Sequence, residues 1–345
     1  MKDVKLDRRT LLKLAALFAG YAAVTPGVAM DKSPRIETSN TDTRGNETAT
    51  GSNDAQNGYA IGGTSNFKAV FDDPQMKAAF LLFLANVYHL FPEDRFHRLI
   101  EQVSQAAGSD KEIYAQVQAR LPEIKPILAD VRYALPALWK QKGEMTAQTL
   151  DLLGPRRKID GYMEIGTTGR YASRLKSEVE LTGDLVLLHS DQPTYSPIDI
   201  AERGGIGKLG RFVNMKDYAA ISSSDIADKS LDLVTNFIGF HHSPTAMLDP
   251  FVRSLQRVLR PGGRMIVRDH DVNSPRMNRM VALAHDVFNM GLGTDWSANQ
   301  REIRNFTSLG QLASYLGDRG FKTEGKMKFQ PGDPTQNALM VFARV

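Results

Sequence analysis

Residues Ile159 to Tyr171 read IDGYMEIGTTGRY. A short apolar segment, Tyr162-Met163-Glu164-Ile165, runs into a Gly/Thr turn from Gly166 to Gly169. The turn opens directly into a helix-like segment, Arg170 to Leu175. Strand, tight glycine turn and helix start make a βα unit of the kind that binds nucleotides. The first N–H groups of a helix have no partner within it, and glycines let a ligand approach the backbone. Glycine turns between strands and helices also occur as plain turns, so the unit is read together with its downstream neighbours.

Downstream of this unit, strand-like and helix-like segments alternate. Leu185 to Leu188, Phe212 to Met215 and Leu231 to Ile238 read as strands, and Met247 to Leu259 reads as a helix. Pro261-Gly262-Gly263 turns the chain into a further strand, Arg264 to Arg268. Alternation over this length predicts an α/β parallel sheet with right-handed crossovers. The tail breaks the pattern: Gly320–Phe329 and Asn337–Val345 are strand-like runs joined by a Pro/Gly/Asp turn with no helix between them. They predict an antiparallel hairpin closing the sheet.

Upstream, residues 66–153 read as a helical module, and 154–345 as the α/β domain. The apolar run Phe80–Phe91, FLLFLANVYHLF, ends at Pro92 and is too short to span a bilayer, so it predicts a buried core helix. Ser109-Asp110-Lys111-Glu112 has the spacing of a capping box. Pro122, Pro126 and Pro136 are expected to divide the rest of the module into short helices. His89 and His97 have no second ligand at helical spacing and are read as structural. The module is expected to fold over the glycine turn as a lid. Residues 30–65, rich in Ser, Thr, Asn, Asp and Gly, predict a disordered linker because they carry too little apolar surface to offset the entropy of ordering.

The chain starts with a basic head (Lys2, Lys5, Arg8, Arg9), a short apolar core from Leu14 to Val24, and small residues up to Ala29. This is the three-part pattern of a signal peptide over residues 1–29. Asp7-Arg8-Arg9-Thr10-Leu11-Leu12-Lys13 is similar to a twin-arginine signal, which predicts the twin-arginine translocase as a partner and a periplasmic or membrane-tethered location. The 345 residues contain no cysteine, which excludes disulfides, thiolate metal sites and cysteine nucleophiles. A formal net charge of +4 without a clustered basic stripe argues against nucleic-acid binding. The oligomeric state is left open.

Taken in order, Glu164-Ile-Gly166-Thr-Thr-Gly169, then Ser230-Leu-Asp232-Leu-Val-Thr-Asn236 with Phe240-His241-His242, then Arg257-Val-Leu-Arg-Pro261-Gly262-Gly263-Arg-Met-Ile-Val resemble class I S-adenosylmethionine-dependent methyltransferases. The resemblance covers residues 159–345 and is to the broad type-11 branch that mostly modifies small molecules. It implies a Rossmann-like, doubly wound sheet, S-adenosyl-L-methionine as cofactor and a small-molecule acceptor. It also implies that Glu164, Gly166, Thr167 and Gly169 surround the methionine end of the cofactor. Asp191, after the second strand, would take the ribose hydroxyls, and Asp217, after the third, the adenine amino group. Thr167-Thr168 stands where the family has a further glycine, and the second strand ends Leu188-His189-Ser190-Asp191 instead of directly in its acid.

Two polar clusters would meet at the carboxyl ends of adjacent strands: His241-His242 and Asp269-His270-Asp271. Open α/β sheets bind ligands at those ends. Histidine titrates near neutral pH, so His241 or His242, with Asp269 or Asp271, would position and deprotonate an acceptor. A metal site of His and Asp ligands and a simple polar rim are the rival readings. A non-catalytic binding protein on the same fold, exported without cofactor, is the alternative function. An NAD-dependent oxidoreductase is disfavoured because the turn lacks G-x-G-x-x-G spacing.

Overall fold

The computed structural model describes residues 65–126, 133 and 135–345; the expected signal peptide (1–29) and all of the expected linker but its last residue lie outside the described residues. Among the described residues five α-helices come first: α1 (Asn66–Phe71), α2 (Pro74–Phe83), α3 (Glu93–Ala106), α4 (Asp110–Ile124) and α5 (Leu135–Leu153). Then come β1 (Lys158–Ile165), α6 (Ala172–Glu178), β2 (Glu180–His189), α7 (Pro197–Arg203), β3 (Arg211–Asn214), β4 (Leu231–Asn236), α8 (Thr245–Val258) and β5 (Leu259–His270). The chain continues through α9 (Pro275–Gly291), α10 (Trp296–Arg301), α11 (Leu309–Gly317), β6 (Phe321–Phe329) and β7 (Asn337–Arg344).

The seven strands form one sheet in the order β3-β2-β1-β4-β5-β7-β6. β1 to β5 pair in parallel, and β7 lies antiparallel between β5 and β6. This is the expected α/β, Rossmann-like doubly wound sheet ending in an antiparallel hairpin. Strand order reverses between β1 and β4, and the crevice outside their carboxyl ends is where such sheets take ligands. Two irregularities set the register. Gly161, at φ +82°, sits in a bulge of β1, where a Cβ would lie 2.3 Å from the Ser230 carbonyl. β5 slips against β4 between Leu259 and Arg264, so the Pro-Gly-Gly segment bulges out of the ladder.

Among the described residues three apolar cores form. One face of the sheet packs on α8 and α11 through Val234, Leu255, Met265 and Leu312. The other packs on α5 and α6 through Met145, Leu152, Tyr162, Tyr171 and Leu175. The third core joins α1–α4 to α9: Phe67, Phe80, Phe96 and Tyr114 surround Leu283, Val287 and Phe288. The helical module therefore draws its central helix from the C-terminal half of the chain. α5 contributes to two of these cores, with Leu138 in the helical one and Met145 to Leu153 against the sheet.

Local expectations fare unevenly. The run Phe80–Phe91 is buried as expected, but it is not one helix: α2 passes into a π turn, Leu84–Tyr88, which ends at His89 with φ 45°. Pro122 sits inside the last turns of α4 without ending it, and Pro136 lies in the first turn of α5, where a missing N–H costs nothing. Ser109 caps α4 by accepting from Glu112 N at 3.3 Å, while Glu112 reaches back to Gly108 N at 2.8 Å. His97 serves packing: its Nε2 lies 3.0 Å from the Lys77 carbonyl and its ring lies against Phe71. No helix among the described residues is long and apolar enough to cross a membrane.

Candidate functional site

The turn after β1 is closed in by the protein itself. Glu164 is 1% exposed and its carboxylate accepts from Tyr162 OH at 3.2 Å, Tyr171 N at 3.1 Å, Ala172 N at 2.5 Å and the Thr167 hydroxyl. It caps α6 from within the turn. Burial pushes its carboxyl up, against the pull of those four donors. Thr167 Oγ1 in turn accepts from Gly169 N at 3.2 Å and Arg170 N at 3.1 Å. Glu164 and Thr167 thus shape the loop rather than reach past it.

The two glycines are needed by the turn. Gly166 has φ +83° and Gly169 φ +103°. A Cβ on Gly166 would meet the Ile238 side chain at 2.4 Å, and one on Gly169 would meet Leu209 at 3.2 Å. Packing against Ile238 therefore also requires a glycine at position 166.

α7 and α5 cover the turn from outside. Thr168 Oγ1 donates to Glu202 at 2.7 Å, Arg170 pairs with the same carboxylate at 2.6 Å, and Lys142 Nζ donates to the Glu202 carbonyl at 2.5 Å. Burial draws the Lys142 ammonium down to about 8. Of the expected lid, α5 reaches the turn, while α1–α4 pack on α9. An apolar cavity of about 610 Å³ lies between α5 and α7, lined by Leu135, Pro136, Trp139, Ile200 and Gly204, and includes none of the expected site residues.

The carboxyl ends of β2 and β3 remain open. Asp191 is exposed, its N–H bonded to His189 Nδ1 at 3.0 Å. Asp217 is exposed in a run of three left-handed residues, Lys216, Tyr218 and itself, with φ from 48° to 65°. Non-glycine residues pay roughly 1–2 kcal/mol each for that conformation, and such strain collects where a group must be held out in a fixed direction. At the end of β4, Asn236 is fully buried and neither atom of its amide meets a hydrogen-bond partner. It lies at the reversal point between β1 and β4.

Beyond β4 and β5 the structure gathers the expected His/Asp cluster and enlarges it. His241 Nδ1 lies 2.6 Å from Asp269 Oδ1, and Asp269 also accepts from Phe240 N and His270 N, each at 2.9 Å. Burial raises the Asp269 carboxyl, but His241, His270 and the Phe240 N–H together outweigh it and hold the group at about 2. His242 stacks on His241, with ring centroids 4.1 Å apart, and its Nδ1 stands 3.6 Å from Glu302. Burial keeps His242 well below the ordinary imidazole range, and does the same to His285.

Asp271 does not join this cluster. It accepts from Leu309 N at 3.0 Å and Asn273 Nδ2 at 3.1 Å, fastening the start of α11. An acid two residues beyond Asp269 falls outside the strand that aims Asp269 inward. In its place stand His270, His285 from α9, and Glu302. His270 Nδ1 lies 2.9 Å from the Thr335 carbonyl, and His285 Nδ1 lies 2.9 Å from the Val281 carbonyl. His285 Nε2 meets His241 Nε2 at 3.3 Å. The sequence signal for His285 is the His-Asp pair interrupting the apolar run VALAHDVF, readable only once α9 is known to face the cluster. Beneath it, Arg304 is fully buried and bonds Asp286 Oδ1 at 2.7 Å, Asn299 Oδ1 at 2.7 Å and Glu302 Oε2 at 2.9 Å.

Residues 207–267, from before β3 into β5, match a family model described as a methyltransferase domain. The chain is similar to the ubiquinone/menaquinone biosynthesis C-methyltransferase UbiE of Pseudomonas entomophila (strain L48), with 26% identity over 202 residues, 58% of this chain and 72% of that protein. The Pseudomonas putida counterpart gives the same figures. Among solved structures it is similar to the 1,6-didemethyltoxoflavin-N1-methyltransferase of Burkholderia thailandensis, at 15% identity and a TM-score of 0.41, covering 69% of this chain and 92% of that one. A possible exported protein from Bordetella parapertussis aligns with a TM-score of 0.41 and 14% identity over 81% of this chain and 95% of that one.

Proposed function

We propose that the chain is an S-adenosylmethionine-dependent methyltransferase acting on a small-molecule acceptor. The observation that carries this reading is the match of residues 207–267 to a methyltransferase family model, because those residues supply β3, β4 and the turn into β5 of the doubly wound sheet. The names of the Pseudomonas relatives support the same reaction class. The residues around the reversal point suit the cofactor: Asn236 offers a buried amide in want of partners there, and two exposed acids stand at the neighbouring strand ends.

In this reading Asp191 accepts from the ribose hydroxyls, since one carboxylate takes both, and Asp217 accepts from the adenine amino group. Glu164 and Thr167 hold the turn in shape around the methionine end of the cofactor. The cofactor supplies an electrophilic methyl group, and the chain's task is to align an acceptor nucleophile with it. His242 takes the acceptor's proton, burial keeping its ring neutral and Glu302 standing by at 3.6 Å to steady the charged form. His241 acts through position, its Nε2 being turned onto His285.

Calorimetry of the tag-free full-length chain with S-adenosylmethionine, its demethylated product and NAD tests the reading. Binding of the first two and not of NAD is expected, with Asp191→Ala and Asp217→Ala each weakening it about tenfold or more, the effect of a lost hydrogen bond to a charged group. A folded chain that binds neither sulfur compound would overturn it. With an acceptor found by screening phenols, amines and thiols, His242→Ala should lower kcat by about a hundredfold at unchanged cofactor affinity.

Export is part of the proposal and rests on Arg8 and Arg9 before a weakly apolar core. Replacing both by Lys should retain the chain in the cytoplasm. Equal amounts of mature protein in the periplasmic fraction would argue against the twin-arginine route.

A further inference from the structure

We propose that the Nε2 atoms of His241, His270 and His285 form a binding site for one divalent transition-metal ion of the zinc type. The ligand atoms that these three side chains offer lie within 4.8 Å of one another. The rings form a nearly equilateral triangle, with centroids 5.5 Å apart for His241–His270, 5.3 Å for His241–His285 and 5.6 Å for His270–His285. They come from three separate places, the loop after β4, the end of β5 and the middle of α9, so no local sequence motif produces the arrangement.

The proton positions fit a ligand set. His270 Nδ1 faces the Thr335 carbonyl and His285 Nδ1 faces the Val281 carbonyl, each at 2.9 Å. A carbonyl accepts only, so each Nδ1 carries the proton and each Nε2 carries the electron pair. His241 Nδ1 faces the Asp269 carboxylate at 2.6 Å, so the nitrogen turned toward the other two rings is Nε2. Metal-binding histidines characteristically give their second ring N–H to a carboxylate or a carbonyl, and this orients the ring and makes the ligand more basic. All three rings here have such a partner.

The spacing fits as well. Two nitrogens on one tetrahedral zinc, each at about 2.0–2.1 Å, stand roughly 3.3–3.4 Å apart. His241 Nε2 and His285 Nε2 are 3.3 Å apart. His270 Nε2 has Asn337 Nδ2 at 3.4 Å, a long contact that an ion would replace. The nearby guanidinium of Arg304 is matched by Asp286 and Glu302, at 2.7 and 2.9 Å, and Asp269 adds a further negative charge beside His241. Phe306 lies over the triangle, 4.9 Å from the His285 ring and 5.4 Å from that of His241, and screens the centre from water. Imidazole ligands suit zinc, copper, nickel and iron, and disfavour magnesium and calcium. The proposal is independent of methyl transfer.

The test uses the tag-free full-length chain, unfolded in chelator and refolded with Zn²⁺ or Co²⁺, so that access to a buried site is not limiting. One ion per chain should survive dialysis, and the Co²⁺ form should show the intense visible bands of low coordination number. His285→Ala should weaken binding by at least about a hundredfold. Asp269→Asn, which keeps all three ligands, should weaken it about 10–100-fold, the range for lost second-layer partners of metal-bound histidine. His89→Ala, outside the cluster, should bind as the parent does. A refolded parent chain that retains none of Zn²⁺, Co²⁺, Ni²⁺ or Cu²⁺ would overturn the proposal and leave a proton shared between His241 and His285 as the occupant. Equal stoichiometry in the variant lacking all three histidines would overturn it too.

Discussion

Arg304→Met is expected to destabilise the protein by about 3–5 kcal/mol, the cost of leaving one member of a buried ion pair alone. Both Arg304 and Asp286 have side chains with no exposure at all. The guanidinium spans Asp286, Asn299, Glu302 and the Ala282 carbonyl, so its loss strands several acceptors at once. Burial already raises the Asp286 carboxyl, and Arg304 is the main influence restraining it; without the guanidinium Asp286 is expected to take up a proton. Urea unfolding measures the loss. Arg304→Met combined with Asp286→Leu should recover the Asp286 share of the loss, because an apolar pair removes that desolvation cost, while Glu302 and Asn299 remain without the guanidinium. A single variant within about 1 kcal/mol of the parent would contradict the pairing described, since even the median exposed pair contributes that much at most.

Gly166→Val should cost about 2–5 kcal/mol. A left-handed conformation costs a side chain roughly 1–2 kcal/mol, and forcing extra carbons into a packed core roughly 1–3 kcal/mol. Gly166 meets both conditions, at φ +83° and with Ile238 only 2.4 Å from where a Cβ would stand. In a double-mutant cycle Ile238→Ala should offset part of the Gly166→Ala loss by relieving the crowding, its own cavity cost being read from the single variant. Chemical denaturation separates the two contributions. If Gly166→Val melts with the parent, the turn must open far enough to seat a side chain, and Ile238 would be a movable cover.

Much of the fold can be read in the residues. The alternation after Lys158 and the helix-free pair at the end imply the parallel sheet and its hairpin, because strand and helix periods differ and a crossover needs a dozen residues that the tail does not have. The site is legible in part. His241, His242 and Asp269 lie at strand ends, where a sheet fixes their direction. His285 is invisible in the sequence because a helix face has no address until its packing is known. Asp271 misleads for the opposite reason: it comes after the last paired residue of β5, and beyond the ladder nothing in the sequence says which way a side chain turns. Gly166 and Glu164 read as ligand positions, and their part in shaping the turn shows only through Ile238 and the N–H groups of Tyr171 and Ala172, contacts made across the fold.

The joining of α1–α4 to α9 has a consequence for synthesis. The hydroxyl of Tyr88 bonds a carbonyl 199 residues further along, and that of Tyr114 one 180 residues further along. At roughly 5–20 residues per second, a ribosome takes on the order of 10–40 s to deliver those carbonyls after the tyrosines emerge. Throughout that interval Phe67, Phe80, Phe96 and Tyr114 are without the α9 side chains they pack on in the finished molecule. Helices α1–α4 are therefore made early and find their place late, and the nascent chain carries an apolar surface that holdase chaperones would recognise until α9 arrives.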